Sequence, residues 1–177
     1  IALSSLEPLI FDLGYRRYEP YDFAEKQLRA WSYLHPDQRQ PRIFFSELLV
    51  EKLSECNRKI IAGLVSQIPV GAAVSADVFW RGRLWKMPSW SEYLSLAGES
   101  EYAAWLSVIG LRANHFTLSV NALDPPSLSG VVEMLQQVGF EFNETGGVIK
   151  GSPETLLEQA ATLADSAEMV FANGDVH

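Results

Sequence analysis

A single cysteine, Cys56, stands among the 177 residues of the chain. One thiol excludes an internal disulfide and any zinc site built from several cysteines, and makes a reducing, cytoplasmic compartment the expected one. In "SECNRKIIAGL" the thiol reads as a buried helix residue, with no histidine beside it in sequence to activate it. Basic residues are scarce too: 14 Lys and Arg against 22 Asp and Glu give a formal net charge of −8. Nucleic acid and anionic membranes both need a basic face, so neither is expected as a partner, and an anionic ligand would need arginines gathered locally. No run approaches the roughly 20 apolar residues of a membrane span, and no signal peptide is read at the opening "IALSSLEPL", which has no initiator Met. The glycines of "TGGVIKG" lack the spacing of a phosphate loop, and no Ser-His-Asp arrangement is legible.

What is present is a chain able to bury a core: 47% of its residues are hydrophobic and 11% aromatic. The expected organisation is one domain over residues 1–177, with half-units at about 1–53 and 111–177 and a helical insertion at about 54–110. "SSLEPLIFDLG" reads as a helix with Leu6, Leu9, Ile10 and Leu13 on one side, stopped by Gly14 and followed by a strand from Tyr15. "LRAWSYLHP" and "PRIFFSELLV" read as two further strands around the turn "HPDQRQP". Ser54 caps a helix to about Gln67, and "PVGAAVSADVFWRGRLW" connects. Ser89 and Glu92 have capping-box spacing, opening a helical stretch that breaks at Gly98 and ends at Gly110. Leu128, Val131, Val132, Leu135 and Val138 line a helix ended by Gly139. "FEFNETGGVIKG" predicts a hairpin, Ser152 and Pro153 start a further helix, and Asn173-Gly174 turns a last hairpin. Only Asp175, Val176 and His177 follow that turn, too few for stable pairing.

Histidine is the remaining scarcity, with three in the chain. His35 sits before Pro36 in a turn and reads as exposed; His177 is terminal. His115 lies in "ANHFTLSVNAL", whose alternation puts Ala113, His115, Thr117, Ser119 and Asn121 on one strand face, and Asn114, Phe116, Leu118, Val120 and Ala122 on the other. The pattern alone leaves open whether His115 is a metal ligand or an ordinary strand residue. Arg112 points to the face away from His115.

A weak internal repeat bears on this question. "SSLEPLIFDLGYRRYE" and "SLSGVVEMLQQVGFEFN" share a Ser-Leu start, a helix and a Gly-aromatic exit into a strand. Before them stand "IAL" and "HFTLSVNAL", which align Ile1, Ala2 and Leu3 with Phe116, Thr117 and Leu118; position 115 then matches the residue before Ile1. Leu3 abuts its helix start directly, whereas seven or more residues separate Leu118 from its own. A strand cannot reverse onto a helix without a turn, so residues are expected to be missing between Leu3 and Ser4. Two βαβββ-like units of this kind predict paired curved sheets around a site.

The segments "PRIFFSELLVEKLS", "SEYAAWLSVIGLRANHFTLSVNAL" and "GGVIKGSPETLLEQAATLAD" together resemble the 2-oxoadipate dioxygenase/decarboxylase, or hydroxyglutarate synthase, family, in its short bacterial form. The resemblance implies an α+β fold of vicinal-oxygen-chelate type, with mixed or antiparallel sheets around a central metal and extra helices. It implies Fe(II) held by two histidines and a glutamate, of which His115, in the "NHFT" motif, is one. The family's other histidine precedes an "IAL"-like strand and is followed by an arginine for the substrate carboxylate; here Ser4 stands where the arginine belongs. The glutamate would come beyond His177. The implied reaction takes a small anionic 2-oxo acid and O₂, and with 2-oxoadipate yields 2-hydroxyglutarate and CO₂, a step in lysine breakdown. Thr117 and Ser119, on the face of His115, and Ser46, on the strand face opposite Glu47, are the candidates for lining the cavity or binding substrate. Two other readings share the superfold: a non-catalytic small-molecule-binding member, and an isomerase or lyase using another divalent metal.

Overall fold

The computed structural model describes residues 3–72, 75–155 and 157–177. The chain divides into two compact units, one running to Asn114 and including Glu168–His177, the other comprising His115–Ala167.

The first unit begins with helix α1, Leu3–Asp12. Its apolar residues Leu6, Leu9 and Ile10 are buried, and Gly14 ends it at φ +90°. Only glycine suits that turn, because a Cβ there would meet His35 Nε2 at 2.7 Å. Three antiparallel strands follow, β1 (Arg16–Phe23), β2 (Leu28–Leu34) and β3 (Ile43–Leu48), in the order β1-β2-β3. Tyr33 pairs with Arg17 and Ile43 on the side facing α1, where Ile10, Tyr15 and Tyr33 form a buried cluster with Trp31, Ile43 and Phe45 against it. One face of each strand thus follows the predicted alternation into a core.

Helices α2 (Glu55–Val65), α3 (Trp90–Ala97) and α4 (Glu101–Ile109) complete the unit. Each begins at a serine: Ser54 accepts from the Asn57 amide, Ser89 forms a full capping box with Glu92, and Ser100 accepts from the Ala103 amide. The expected break at Gly98 separates α3 from α4. Leu96, Ala103 and Ala104 are buried together, with Leu48, Ile60 and Ile61 packed against them. Among the described residues no helix is long and apolar enough to cross a membrane.

Several expectations fail here, each for a local reason. Leu3, expected in a strand, is instead the first residue of α1, and its amide donates to Glu47 Oε1 at 3.1 Å, which satisfies a helix-start donor. Ile1 and Ala2, which shared the predicted strand, lie outside the described residues. Cys56 is exposed, because Asn57 and Leu64 are the residues that α2 buries. His35 is half-buried, with Tyr15 edge-on at 5.2 Å and its Nδ1 accepting from the Asp37 amide. The short C-terminal hairpin does pair: Met169 and His177 exchange both backbone bonds, at 2.7 and 3.1 Å. Aromatic packing supplies what its length does not, since Phe171 is 4% exposed against Trp90 and Tyr93, and His177 stacks on Trp90 at 3.8 Å.

In the second unit, helix α5 (Leu128–Gln137) forms as expected, with Ser127 accepting from the Gly130 amide. The strands do not. The predicted 140–151 hairpin is replaced by a bridge from Phe142 to Thr162 and by a short pair, β4 (Lys150–Ser152) with β5 (Leu157–Gln159). β5 therefore lies where a helix was expected after Ser152, and Pro153–Thr155 forms only a 3₁₀ turn. Leu157 and Leu163 are more than half exposed, so the segment buries no apolar stripe of its own, and packing of such a stripe is what stabilises short helices.

Candidate functional site

On β3, Ser46 and Glu47 point to opposite sides, and their partners decide which is which. Glu47 turns toward α1, accepting from the Leu3 amide and from Arg29 Nε at 2.7 Å. Ser46 lies opposite Ala30, which in turn lies opposite Tyr21, so the three share the other sheet face. There Tyr21, Phe23 and Phe44 form an aromatic trio, with ring centroids 4.9 Å apart for Tyr21 and Phe44 and 6.2 Å apart for Phe23 and Phe44. The Tyr102 hydroxyl, from α4, donates to the Ser46 carbonyl at 3.1 Å, and burial pushes the Tyr102 phenol up from its usual range. Ser46 is thus half-buried on a partly covered aromatic face. The sequence held a signal for this neighbourhood that alternation within single strands did not reveal: "YDF" and "IFF" bring their aromatics together only once the strand register is known.

On the α1 side, Glu7 reaches up to the sheet. It is 5% exposed, receives Arg17 Nε at 2.8 Å and the Tyr33 hydroxyl at 2.6 Å, and is ion-paired with the Arg17 Nη2 group. Burial alone would raise the Glu7 pKa; the hydrogen bonds from Arg17 and Tyr33 and the Arg17 charge outweigh it and hold the carboxyl below its usual range. Burial and the Glu7 carboxylate both drive the Tyr33 phenol upward. Every group in this cluster has a protein partner, which makes it a structural tie between helix and sheet rather than a reactive one.

His115, Thr117 and Ser119 belong to the second unit, whereas Ser46 belongs to the first. Residues 113–119 are not part of a strand, so the predicted strand around His115 is not formed. Alternation needs a facing strand to turn it into a sheet. All three side chains are exposed, as are Phe116 at 94% and Leu118 at 60%. Arg112 is exposed in the first unit, its guanidinium 3.6 Å from where a Cβ on Gly82 would lie. Two shallow concavities hold none of the candidates: one of about 690 Å³ is lined by Gln67, Arg83, Leu84, Trp85 and Lys86, the other, of about 420 Å³, by residues around His35 and Arg42.

As for a metal, an exposed imidazole on a non-helical segment suits one position of a histidine-and-carboxylate set. Among the described residues no group of three His, Cys, Asp or Glu converges, so His115 fits as a single ligand and the described residues do not assemble the rest.

Comparison with known proteins gives this arrangement a context. A glyoxalase-superfamily protein from Ralstonia eutropha JMP134, 18% identical, superposes with a TM-score of 0.76 over 98% of this chain and 61% of that one. At that identity the likeness speaks for the fold alone, and it places the α+β architecture with antiparallel sheets among the vicinal-oxygen-chelate folds. A crystal structure from Shewanella frigidimarina NCIMB 400, described provisionally as a hydrolase, is 42% identical with a TM-score of 0.92 over 99% of this chain and 69% of that one. The hydroxyglutarate synthase of Oryza sativa in complex with 2-oxoadipate is 36% identical with a TM-score of 0.86, over 99% of this chain and 60% of that one. The 2-oxoadipate dioxygenase/decarboxylase of Oryza sativa subsp. japonica, chloroplastic/amyloplastic, is 36% identical over 98% of this chain and 51% of its own length. The chain thus spans about half the length of the curated relatives it matches. Residues 71–177, which include the "NHFT" motif and α5, match the family directly, and the chain belongs to the 2-oxoadipate dioxygenase/decarboxylase family.

Proposed function

We propose that the protein of which this chain is part is an Fe(II)-dependent dioxygenase that decarboxylates and hydroxylates a 2-oxo diacid, converting 2-oxoadipate and O₂ to 2-hydroxyglutarate and CO₂. The observation that carries this reading is the 36% identity, over nearly the whole chain, to a 2-oxoadipate dioxygenase/decarboxylase. When bound, ferrous iron supplies adjacent open positions at which a chelating 2-oxo acid and O₂ can meet. His115 would hold the metal through a ring nitrogen. Thr117 and Ser119, two and four residues further on, would offer hydroxyls to the substrate carboxylate or to a water that mediates it. A cytoplasmic location goes with this reading, supported by the single cysteine.

The test is oxygen consumption by the full-length protein. Uptake is expected to require both Fe(II) and 2-oxoadipate, to release CO₂, and to be abolished in His115→Ala. Turnover without oxygen uptake, as a hydrolase or isomerase would give, or full activity in His115→Ala, overturns the proposal.

A further inference from the structure

An anion held by so acidic a chain needs arginines brought together, and the first unit brings them together at one end of its sheet. Arg16 of β1 lies opposite Leu34 of β2, and Arg42 immediately precedes β3, so both stand where β2 leaves the sheet and β3 re-enters it. Neither forms an ion pair among the described residues, whereas Arg17 and Arg39 are engaged by Glu7 and Asp37. The Arg42 guanidinium rests over the Tyr18 ring at 5.5 Å, a contact that restrains the charge without using its N–H donors.

Residues 35–42, which join β2 to β3, make a longer connection than the roughly two to five residues of an ordinary hairpin loop. This loop is bonded to itself and to the residues beside it. The Asp37 amide donates to His35 Nδ1 at 3.0 Å, the Gln40 amide to the Asp37 carbonyl at 3.0 Å, and the Tyr15 hydroxyl to the Pro41 carbonyl at 3.0 Å. Pro36 and Pro41 fix two further φ angles. The loop thereby keeps the concavity of about 420 Å³, lined by Leu34, His35, Pro36, Gln38, Gln40 and Arg42. Among the described residues no carboxylate lines it, in a chain that carries 22 Asp and Glu. The one acid of the loop, Asp37, is taken by Arg39 at 2.9 Å, and the hydrogen bond from Arg39 holds its carboxyl below the usual range.

We infer that this concavity is a binding site for a small organic carboxylate. The Arg42 fork matches the two oxygens of a carboxylate. The side-chain amides of Gln38 and Gln40 carry N–H donors and no charge, so they add hydrogen bonds without repelling an anion. Leu34 and Pro36 supply apolar surface for the rest of the molecule, which an inorganic anion could not use. A loop already held by its own bonds loses little freedom when it is occupied. The lining residues all belong to the first unit, and none of them is a candidate for the oxygen chemistry.

The experiment titrates the full-length protein with propionate and follows the His35 ring and the Gln38 and Gln40 side-chain amides by NMR. Propionate is expected to shift these signals saturably, with a dissociation constant of roughly 1 mM, in keeping with its few heavy atoms. Propionamide, of the same shape without the charge, is expected to leave them in place. Inorganic phosphate, a charge without the apolar part, is expected to bind about threefold or more weakly. Arg42→Gln should weaken propionate binding about tenfold or more, and Arg42→Lys, which keeps the charge and loses the fork, by less. Arg42, Gln38 and Gln40 are exposed, so these variants should keep the wild-type fold by circular dichroism. If Arg42→Gln does not fold, Gln38→Ala carries the same test, with a loss of about threefold. His115→Ala is expected to bind propionate at these signals as the wild type does. Shifts that fail to saturate, that propionamide reproduces, that persist unchanged in Arg42→Gln, or that vanish in His115→Ala overturn the inference. Phosphate binding as tightly as propionate overturns the assignment to an organic carboxylate.

Discussion

The two units start from similar sequence and end differently. "LIFDLGYRRYE" and "MLQQVGFEFN" each run from a helix through glycine into an aromatic-rich segment. In the first unit that segment becomes β1, laid beside β2 and β3 over the buried Ile10, Tyr15 and Tyr33. In the second, Phe142 makes one isolated bridge, and Val138 and Phe140 stay more than half exposed. The difference lies in what each segment finds to pack against. The first has two further strands of matching alternation directly after it, with α1 covering their inner side; the second has β4 and β5, three residues each. A strand is a property of a pair, and its sequence supplies only half of that pair.

The sharpest way to break the comparison is to remove the residue on which the first sheet is built. Tyr33 is 0% exposed, and Tyr33→Ala is expected to cost about 4 kcal/mol in urea denaturation, the usual loss for a buried aromatic. A loss under about 1 kcal/mol would mean that the first unit is as loosely packed as the second. Next in size is an acid effect confined to the first unit. The Glu7 carboxyl is held below its usual range, so its contribution is present above its unfolded pKa and is lost as pH falls through the lower, folded one. Stability should therefore drop below about pH 4.5, and Glu7→Gln should flatten that drop while costing about 2 kcal/mol at neutral pH, because the buried Tyr33 hydroxyl and Arg17 keep a weaker partner. Melts from pH 7 down to pH 3 would check both; an unchanged slope in Glu7→Gln would show that other carboxylates govern acid unfolding. The smallest effect is expected in the second unit: Phe116→Ala should change the stability of this chain by no more than about 0.5 kcal/mol, since the ring is almost wholly exposed. A cost near that of Tyr33→Ala would erase the distinction between the units.

The same contrast explains what could be read from the sequence. The helix starts at Ser54 and Ser89 were legible because a cap is local: each binds an amide three residues on. β1, β2 and β3 were legible because alternation and neighbourhood agreed. The segment at His115 had the alternation without forming a strand, and Ser152-Pro153 had the cap without a helix following it. Cys56 and His35 were misplaced for a smaller reason, because burial depends on which side of an element meets the core, and one side chain's chemistry does not fix that. The family could be recognised from motif order, which survives whatever each segment packs against. The hydrogen bonds from Arg83 to the Val108 carbonyl and from Trp85 to the Ser107 carbonyl were out of reach, because they join residues more than twenty apart through backbone carbonyls, which carry no sequence signature.

Helix α1 meets a different strand of its sheet through each of three polar ties: Arg17 of β1 and Tyr33 of β2 converge on Glu7, and Glu47 of β3 receives the Leu3 amide. Apolar side chains tolerate sliding, because one methyl row fits its neighbour nearly as well as the next. Directional bonds do not. A roll of the helix by one residue, or a slip by one turn of about 5.4 Å, would break all three together. The helix and its three strands are thereby keyed to a single alignment, and they should come apart in one step, without passing through shifted packings.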